Sequence, residues 1–186
     1  MSAITLRILF DAQQTSGALW WDLQPPSDPT FGPCTGALRF SPGDQVSLEI
    51  YADSMKSAGL TGFDVLECCI ITRPQVIRLL DGEMAQFAQP SPFRSQPSAC
   101  TRLEGGFPLV PPLGDDAPES LLRQWSGVLQ VDALIGRWEL SLVLTVNLHF
   151  QGQKAPVPRV FGFDPECEVG DGGHPSPRHG GRARLR

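Results

Sequence analysis

Residues 137–151 read Arg-Trp-Glu-Leu-Ser-Leu-Val-Leu-Thr-Val-Asn-Leu-His-Phe-Gln. Trp138, Leu140, Leu142, Leu144, Val146, Leu148 and Phe150 fall on every second position. Glu139, Ser141, Thr145, Asn147 and His149 lie between them, with Val143 the one apolar exception. Successive side chains of an extended chain point to opposite faces, so this pattern predicts a long strand with one face on a core. A helix would smear the same residues around its circumference and leave no stripe.

Shorter stretches repeat the theme. Ile4, Leu6, Ile8 and Phe10 alternate with Thr5, Arg7 and Leu9 in a first strand that ends at Asp11. Residues 18–23 predict a strand whose neighbouring Trp20 and Trp21 face opposite sides. Residues 36–40 form a short strand, Ser41-Pro42-Gly43-Asp44 a tight turn, and residues 45–52 a further strand through Val46, Leu48 and Ile50. Residues 63–71 are almost continuously apolar, which predicts a strand covered on both faces, and residues 75–80 read equally as strand or helical turn. Residues 121–131 predict a strand around Trp125, and residues 157–163 the closing strand. Ahead of them, residues 81–118 are rich in Pro, Ser, Gly and Gln, and predict a long surface loop anchored by Phe87, Phe93 and Phe107.

Seven or eight short strands, turn signals about every 8–12 residues and no convincing helix predict an all-β fold. The leading architecture is an antiparallel β-sandwich, immunoglobulin-like or jelly-roll-like, with a barrel as the runner-up. At 186 residues the chain is most simply one domain over residues 1–169, followed by a flexible Arg-rich tail at 170–186.

Charge is unevenly distributed. All 20 acidic residues precede Gly172 against 11 of the 15 basic ones, so that part carries 11 − 20 = −9, while Arg178, Arg182, Arg184 and Arg186 give the tail +4. An acidic body with four arginines lacking aromatic interleaving argues against nucleic acid and against an anionic membrane surface. No stretch reaches the roughly 18 apolar residues that span a bilayer, and the alternating amino terminus lacks a signal-peptide pattern. Cys34, Cys68, Cys69, Cys100 and Cys167 are odd in number; without an export signal they are expected to be reduced, in the cytoplasm.

Catalytic constellations are missing from the pattern. There is no Gly-x-Ser-x-Gly elbow, and His149 is the only histidine within the expected body, on the polar face of a strand. His149, Cys167, His174 and His179 lack the close Cys–His spacing and following Met of a blue-copper loop, and no Cys-x-x-Cys marks a zinc site. Asp164, Glu166, Glu168 and Asp171 suit a hard cation better: alternate spacing sets the first three on one face, and Ca2+ takes several such oxygens. Trp20 and Trp21 offer a sugar-stacking platform, because one indole of the pair must face away from the core. No cofactor is implied.

The ends of the chain resemble bacterial inclusion-body-type proteins of the PixA and AidA family. The residues concerned are Ile4-Thr-Leu-Arg-Ile-Leu-Phe-Asp11 and Phe161-Gly-Phe-Asp-Pro-Glu-Cys-Glu-Val169, with Phe163 where that family often has Trp. The resemblance implies a cytoplasmic β-sandwich that accumulates or assembles and has no catalytic residues to carry over. The expectation from the whole chain is a non-enzymatic sandwich acting on itself, as a homodimer, or on another protein. Carbohydrate or small-ligand binding and Ca2+ binding are the alternatives.

Overall fold

The structure is a computed structural model that describes residues 2–26, 34, 38–54, 59–77, 86–93, 98–111, 120–131, 136–163 and 166–169. Among the described residues, fourteen strands run in the order β1 (Ala3–Asp11), β2 (Trp20–Gln24), β3 (Leu38–Phe40), β4 (Gln45–Asp53), β5 (Leu60–Pro74), β6 (Val76–Ile77), β7 (Gln86–Phe87), β8 (Cys100–Arg102), β9 (Leu109–Val110), β10 (Ser120–Gln124), β11 (Leu129–Gln130), β12 (Gly136–Phe150), β13 (Val157–Phe163) and β14 (Glu166–Val169). Sheet A has the order β2-β1-β4-β10-β9, with β11 against the first end of β4; sheet B has the order β3-β14-β12-β5-β8, with β13 against the far half of β12. The two sheets pack as an open β-sandwich, not a closed barrel. Most pairs are antiparallel, but β1 lies parallel to β4 and β14 parallel to β3.

The core follows from alternation. On β12, Trp138, Leu140, Leu142, Leu144, Val146 and Leu148 are all buried. Each such side chain contributes about 1.5–3 kcal/mol by leaving water. Sheet A answers with Ile4, Leu6, Ile8 and Phe10 from β1 and Val46, Leu48 and Ile50 from β4. The Phe10 ring stacks on Phe161 at 4.5 Å and meets Phe63 edge-on at 5.5 Å, locking the two layers together.

Two expectations need correction. The apolar run in β5 is covered on one face only, since Leu66 and Ile71 are exposed. The register of β5 against β12 slips between Thr145 and Val146, pairing them with Glu67 and Val65, so Leu66 is the extra residue of a bulge. Phe63 and Val65 face inward before it, Cys68, Ile70 and Thr72 after it, and the phase change hides the alternation. The strand expected over 121–131 is likewise split into β10 and β11. Trp125 still donates its backbone N–H to Leu48 O at 2.9 Å, but its ring folds over Gly127, where a Cβ would sit 2.4 Å from the indole.

The Ser41–Asp44 turn forms as expected, with Gly43 at φ 86°. Asp44 accepts hydrogen bonds from the backbone N–H of Ser41 at 2.8 Å and of Ser2 at 2.9 Å, which satisfies a buried carboxylate. Within 81–118, the described residues are ordered partly as β7, β8 and β9. Phe93 is buried and Phe107 packs on the core, so both anchor the excursion; Phe87 is exposed and does not. Residues 170–186, the expected tail, lie outside the described residues. No helix among the described residues is long and apolar enough to cross a membrane.

Candidate functional site

The outward face of sheet A carries an apolar row that crosses every strand of its main path. Leu9 pairs with Trp20 on one side and Tyr51 on the other, Tyr51 pairs with Leu122, and Leu122 with Val110. Leu9 and Tyr51 are in the outward phase, because their neighbours Ile8, Phe10, Ile50 and Ala52 fill the core, and the registers set Trp20, Leu122 and Val110 on the same face. Trp20 is 61% exposed and the other four are half-buried. At about 4.8 Å between strands, the row is roughly 19 Å long.

Polar side chains flank it. On one side Asp22 pairs with Arg7, Arg7 with Glu49 and Glu49 with Gln124; on the other, Asp11 pairs with Asp53 and Asp53 with Ser120. The Arg7 Nε meets Glu49 Oε2 at 3.1 Å, and the Tyr51 hydroxyl donates to the same carboxylate oxygen at 2.9 Å. One guanidinium thus stands among the four carboxylates of Asp11, Asp22, Glu49 and Asp53. Burial pushes the Tyr51 phenol pKa up, and its hydrogen bond to Glu49 and that carboxylate's charge add to the shift, against an opposing effect of Arg7.

Trp20 and Trp21 separate as the alternation required. Trp20 points outward at the end of the row. Trp21 is half-buried against the core and stacks on Phe163 with ring centroids 6.1 Å apart. The outer edge of β2 is occupied at this point: Cys34 donates its N–H to Trp21 O at 2.9 Å, and Trp21 N–H donates to Cys34 Sγ at 3.1 Å. The edge of β13 is covered as well, since Leu19 N–H reaches Gly162 O at 3.0 Å and Gly162 N–H reaches Gly17 O at 2.8 Å. Both contacts blunt edges that would otherwise invite strand addition.

Of the expected cation ligands, Asp164 and Asp171 lie outside the described residues. Glu166 and Glu168 are placed by their backbones in β14, opposite Glu139 and Arg137. No group of three or more His, Cys, Asp or Glu among the described residues is arranged to hold a metal ion.

His149 belongs to a network that spacing along the chain does not reveal. Its Nε2 lies 2.8 Å from Asp64 Oδ2, while Asp64 Oδ1 accepts from Arg123 Nη2 at 2.7 Å. Arg123 reaches over from sheet A, also donating to Phe63 O at 2.5 Å and Phe107 O at 2.8 Å, with its guanidinium 5.5 Å from the Phe63 ring centroid. The Asp64 side chain is 53% exposed and that of His149 42%, so the histidine end is open surface rather than a cleft. Chemically this is an ion-pair staple between the sheets.

Sequence reasoning named Trp20 but missed Leu9, Tyr51, Leu122 and Val110, because a cross-strand row exists only once the registers are known. The available signal was an apolar residue in the outward phase of three different strands. No protein-family model matches the chain, and the curated proteins contain no match to it.

Proposed function

We propose that the chain is a non-enzymatic contact module of the cytoplasm that associates with its own copies, most simply as a symmetric dimer, through the outward face of sheet A. The observation that carries this reading is the unbroken row from Trp20 to Val110, flanked on both sides by polar side chains. Strands β1 and β4 have nine residues each. The other strands of the sheet are shorter, so at about 3.3 Å per residue and 4.8 Å per strand the face covers about 500 Å². That is the size of a small contact, below the ~800 Å² per partner of a standard interface, and fits a dimer that dissociates on dilution.

An exposed indole at one end of a packed row is the kind of side chain that dominates association energies. The acidic flanks oppose a like face, and salt screens that opposition. The described cysteines Cys34, Cys68, Cys69 and Cys100 are free thiols, in keeping with a reducing compartment. Assembly is also what the resemblance of the strand ends to the PixA and AidA family implies. Size-exclusion chromatography with light scattering over a concentration series tests the reading. A dimer that dissociates on dilution, and less readily in high salt, is expected. A monomer at every concentration would overturn it.

One observation favours a second reading, a neutral oligosaccharide as ligand. Trp20 and Tyr51 sit two strands apart, roughly 9.5 Å, and Asp22, Arg7, Glu49 and Gln124 supply hydrogen-bonding groups beside them. Retardation in native gels containing a soluble β-linked glucan, lost in Trp20→Ala, is the expected sign. Unchanged migration across a panel of glucans rejects this ligand.

A further inference from the structure

The outward face of sheet B carries a second feature, independent of the row. Strand β8 pairs with β5 so that Cys69 lies opposite Arg102, Ile70 opposite Thr101 and Ile71 opposite Cys100. Thr72 N–H bonds to Ala99 O at 2.7 Å and Leu103 N–H to Cys68 O at 2.8 Å, which fixes the even-numbered residues of β5 as the hydrogen-bonded positions. Cys69 and Cys100 therefore occupy neighbouring non-hydrogen-bonded pairs, where side chains of opposite strands are closest. They are diagonal neighbours on one face, and the right-handed twist of the sheet draws such a diagonal together. Cys100 is near enough to Cys69 to raise the pKa of its thiol.

Their surroundings differ in access. Cys100 is exposed, Cys69 is half-buried, and Cys68, one residue away, is buried in the core on the opposite face. β8 is a three-residue strand at the end of its sheet, so it can slide by the small amount that a bond across the diagonal needs. The remaining described free thiol, Cys34, lies against the edge of sheet A, held by Trp21.

We propose that Cys69 and Cys100 are a paired modification site that closes reversibly to an intramolecular disulfide by exchange with low-molecular-weight disulfides. The exposed Cys100 thiol, once deprotonated, attacks one sulfur of the reagent RSSR. The reagent's S–S bond breaks and one RSH leaves, taking up a proton. Cys69, losing its own proton, then attacks the Cys100 sulfur of the mixed disulfide and expels the second RSH. Two protein thiols and one RSSR give one protein disulfide and two RSH, so the protein loses two electrons and the reagent gains them. Burial, the Glu67 carboxylate and the neighbouring Cys100 raise the Cys69 pKa, with Arg102 opposing, so the second step quickens as pH rises.

The bond ties β8 to β5 at the start of the crossover that carries Glu104 O, acceptor of the Trp125 indole N–H at 2.6 Å, and Phe107 O, acceptor of Arg123. Closing the pair therefore fastens the segment that joins sheet B to sheet A.

The test uses the full chain, reduced, freed of reductant and exposed to oxidised glutathione, then alkylated and mapped by mass spectrometry. Peptides linked through Cys69 and Cys100 are expected, forming in Cys68→Ala as in the parent and reopening with dithiothreitol. In Cys69→Ala, Cys100 should stop as the glutathione mixed disulfide. The proposal is overturned if Cys100 remains a mixed disulfide in the parent chain while Cys69 is alkylated. It is overturned equally if the linkage survives in Cys69→Ala through Cys68, or appears only when the chain is unfolded in urea before oxidation.

Discussion

The outward faces of the two sheets are built from the same alternation but dispose of their side chains differently. On sheet B, among the described residues, Arg73 pairs with Glu139 at 3.0 Å and Arg102 with Glu67 at 3.7 Å, and His149 lies in hydrogen-bond contact with Asp64 at 2.8 Å. The exposed apolar residues of this sheet, Leu66, Ile71, Val143 and Val160, are scattered over the face rather than joined in one line across its strands. On sheet A the apolar side chains form a continuous line, and the carboxylates beside it outnumber the single Arg7. A face whose apolar side chains are interspersed with ion pairs has little to offer a partner. A line of apolar side chains ending in an exposed indole gains by being covered.

Both faces rest on the same core, so the largest expected effect is one that separates neither. Leu144→Ala removes a fully buried side chain from the middle of β12 and should cost about 2–5 kcal/mol, read by urea denaturation. A loss under about 1 kcal/mol would mean that β12 is not the wall on which both sheets depend. Next comes the staple between the layers. Arg123→Leu withdraws the donor from Phe63 O, Phe107 O and Asp64, and should cost roughly 1–3 kcal/mol. An unchanged denaturation midpoint would show that sheet B holds its place without it.

The faces themselves should respond weakly in stability. Glu139→Gln on sheet B breaks an exposed pair that is worth about 0–1 kcal/mol and is screened by salt. Trp20→Ala on sheet A should change monomer stability by no more than about 0.5 kcal/mol. A larger loss would place the indole in the fold rather than on a working surface.

Tyr51 sharpens the comparison without any substitution, because it is the only tyrosine in the chain and tyrosinate absorbance reports it alone. Its folded pKa lies above the ordinary phenol value of 10.0. The folded state therefore holds the phenolic proton more tightly than the unfolded chain does. This stabilisation is complete below about pH 10 and is lost as pH climbs through the raised folded value. Titration at or below the free phenol's midpoint would mean that the ring is not tucked into the row beside Glu49.

What the sequence revealed is graded by how local the cause is. The β12 and β1 strands were legible because an uninterrupted period of two needs no partner to be recognised. The β5 strand was half legible, since a single bulged residue at Leu66 reverses the phase and makes two one-sided stretches look like one two-sided run. β10 and β11 were read as one strand because the fold of the Trp125 ring over Gly127 is tertiary. The candidate surface was hardest. Trp20 could be named from its neighbour Trp21, but the row also needs the parallel pairing of β1 with β4, which joins residues about forty positions apart. The Cys69–Cys100 diagonal and the Asp64–His149–Arg123 network depend in the same way on registers that no spacing along the chain encodes.

The most direct test of the sheet A surface is light scattering coupled to size exclusion on two matched variants over one concentration series. Leu9→Ser with Trp20→Ala interrupts the row; Ile71→Ser with Val143→Ser makes a comparable polar change on sheet B. The parent chain and the sheet B variant should both dimerise, with the row variant shifted toward monomer by at least about ten-fold in dissociation constant, the equivalent of ~1.4 kcal/mol. A row variant that dimerises like its parent, or a sheet B variant that alone falls apart, would contradict the assignment of the contact surface to sheet A.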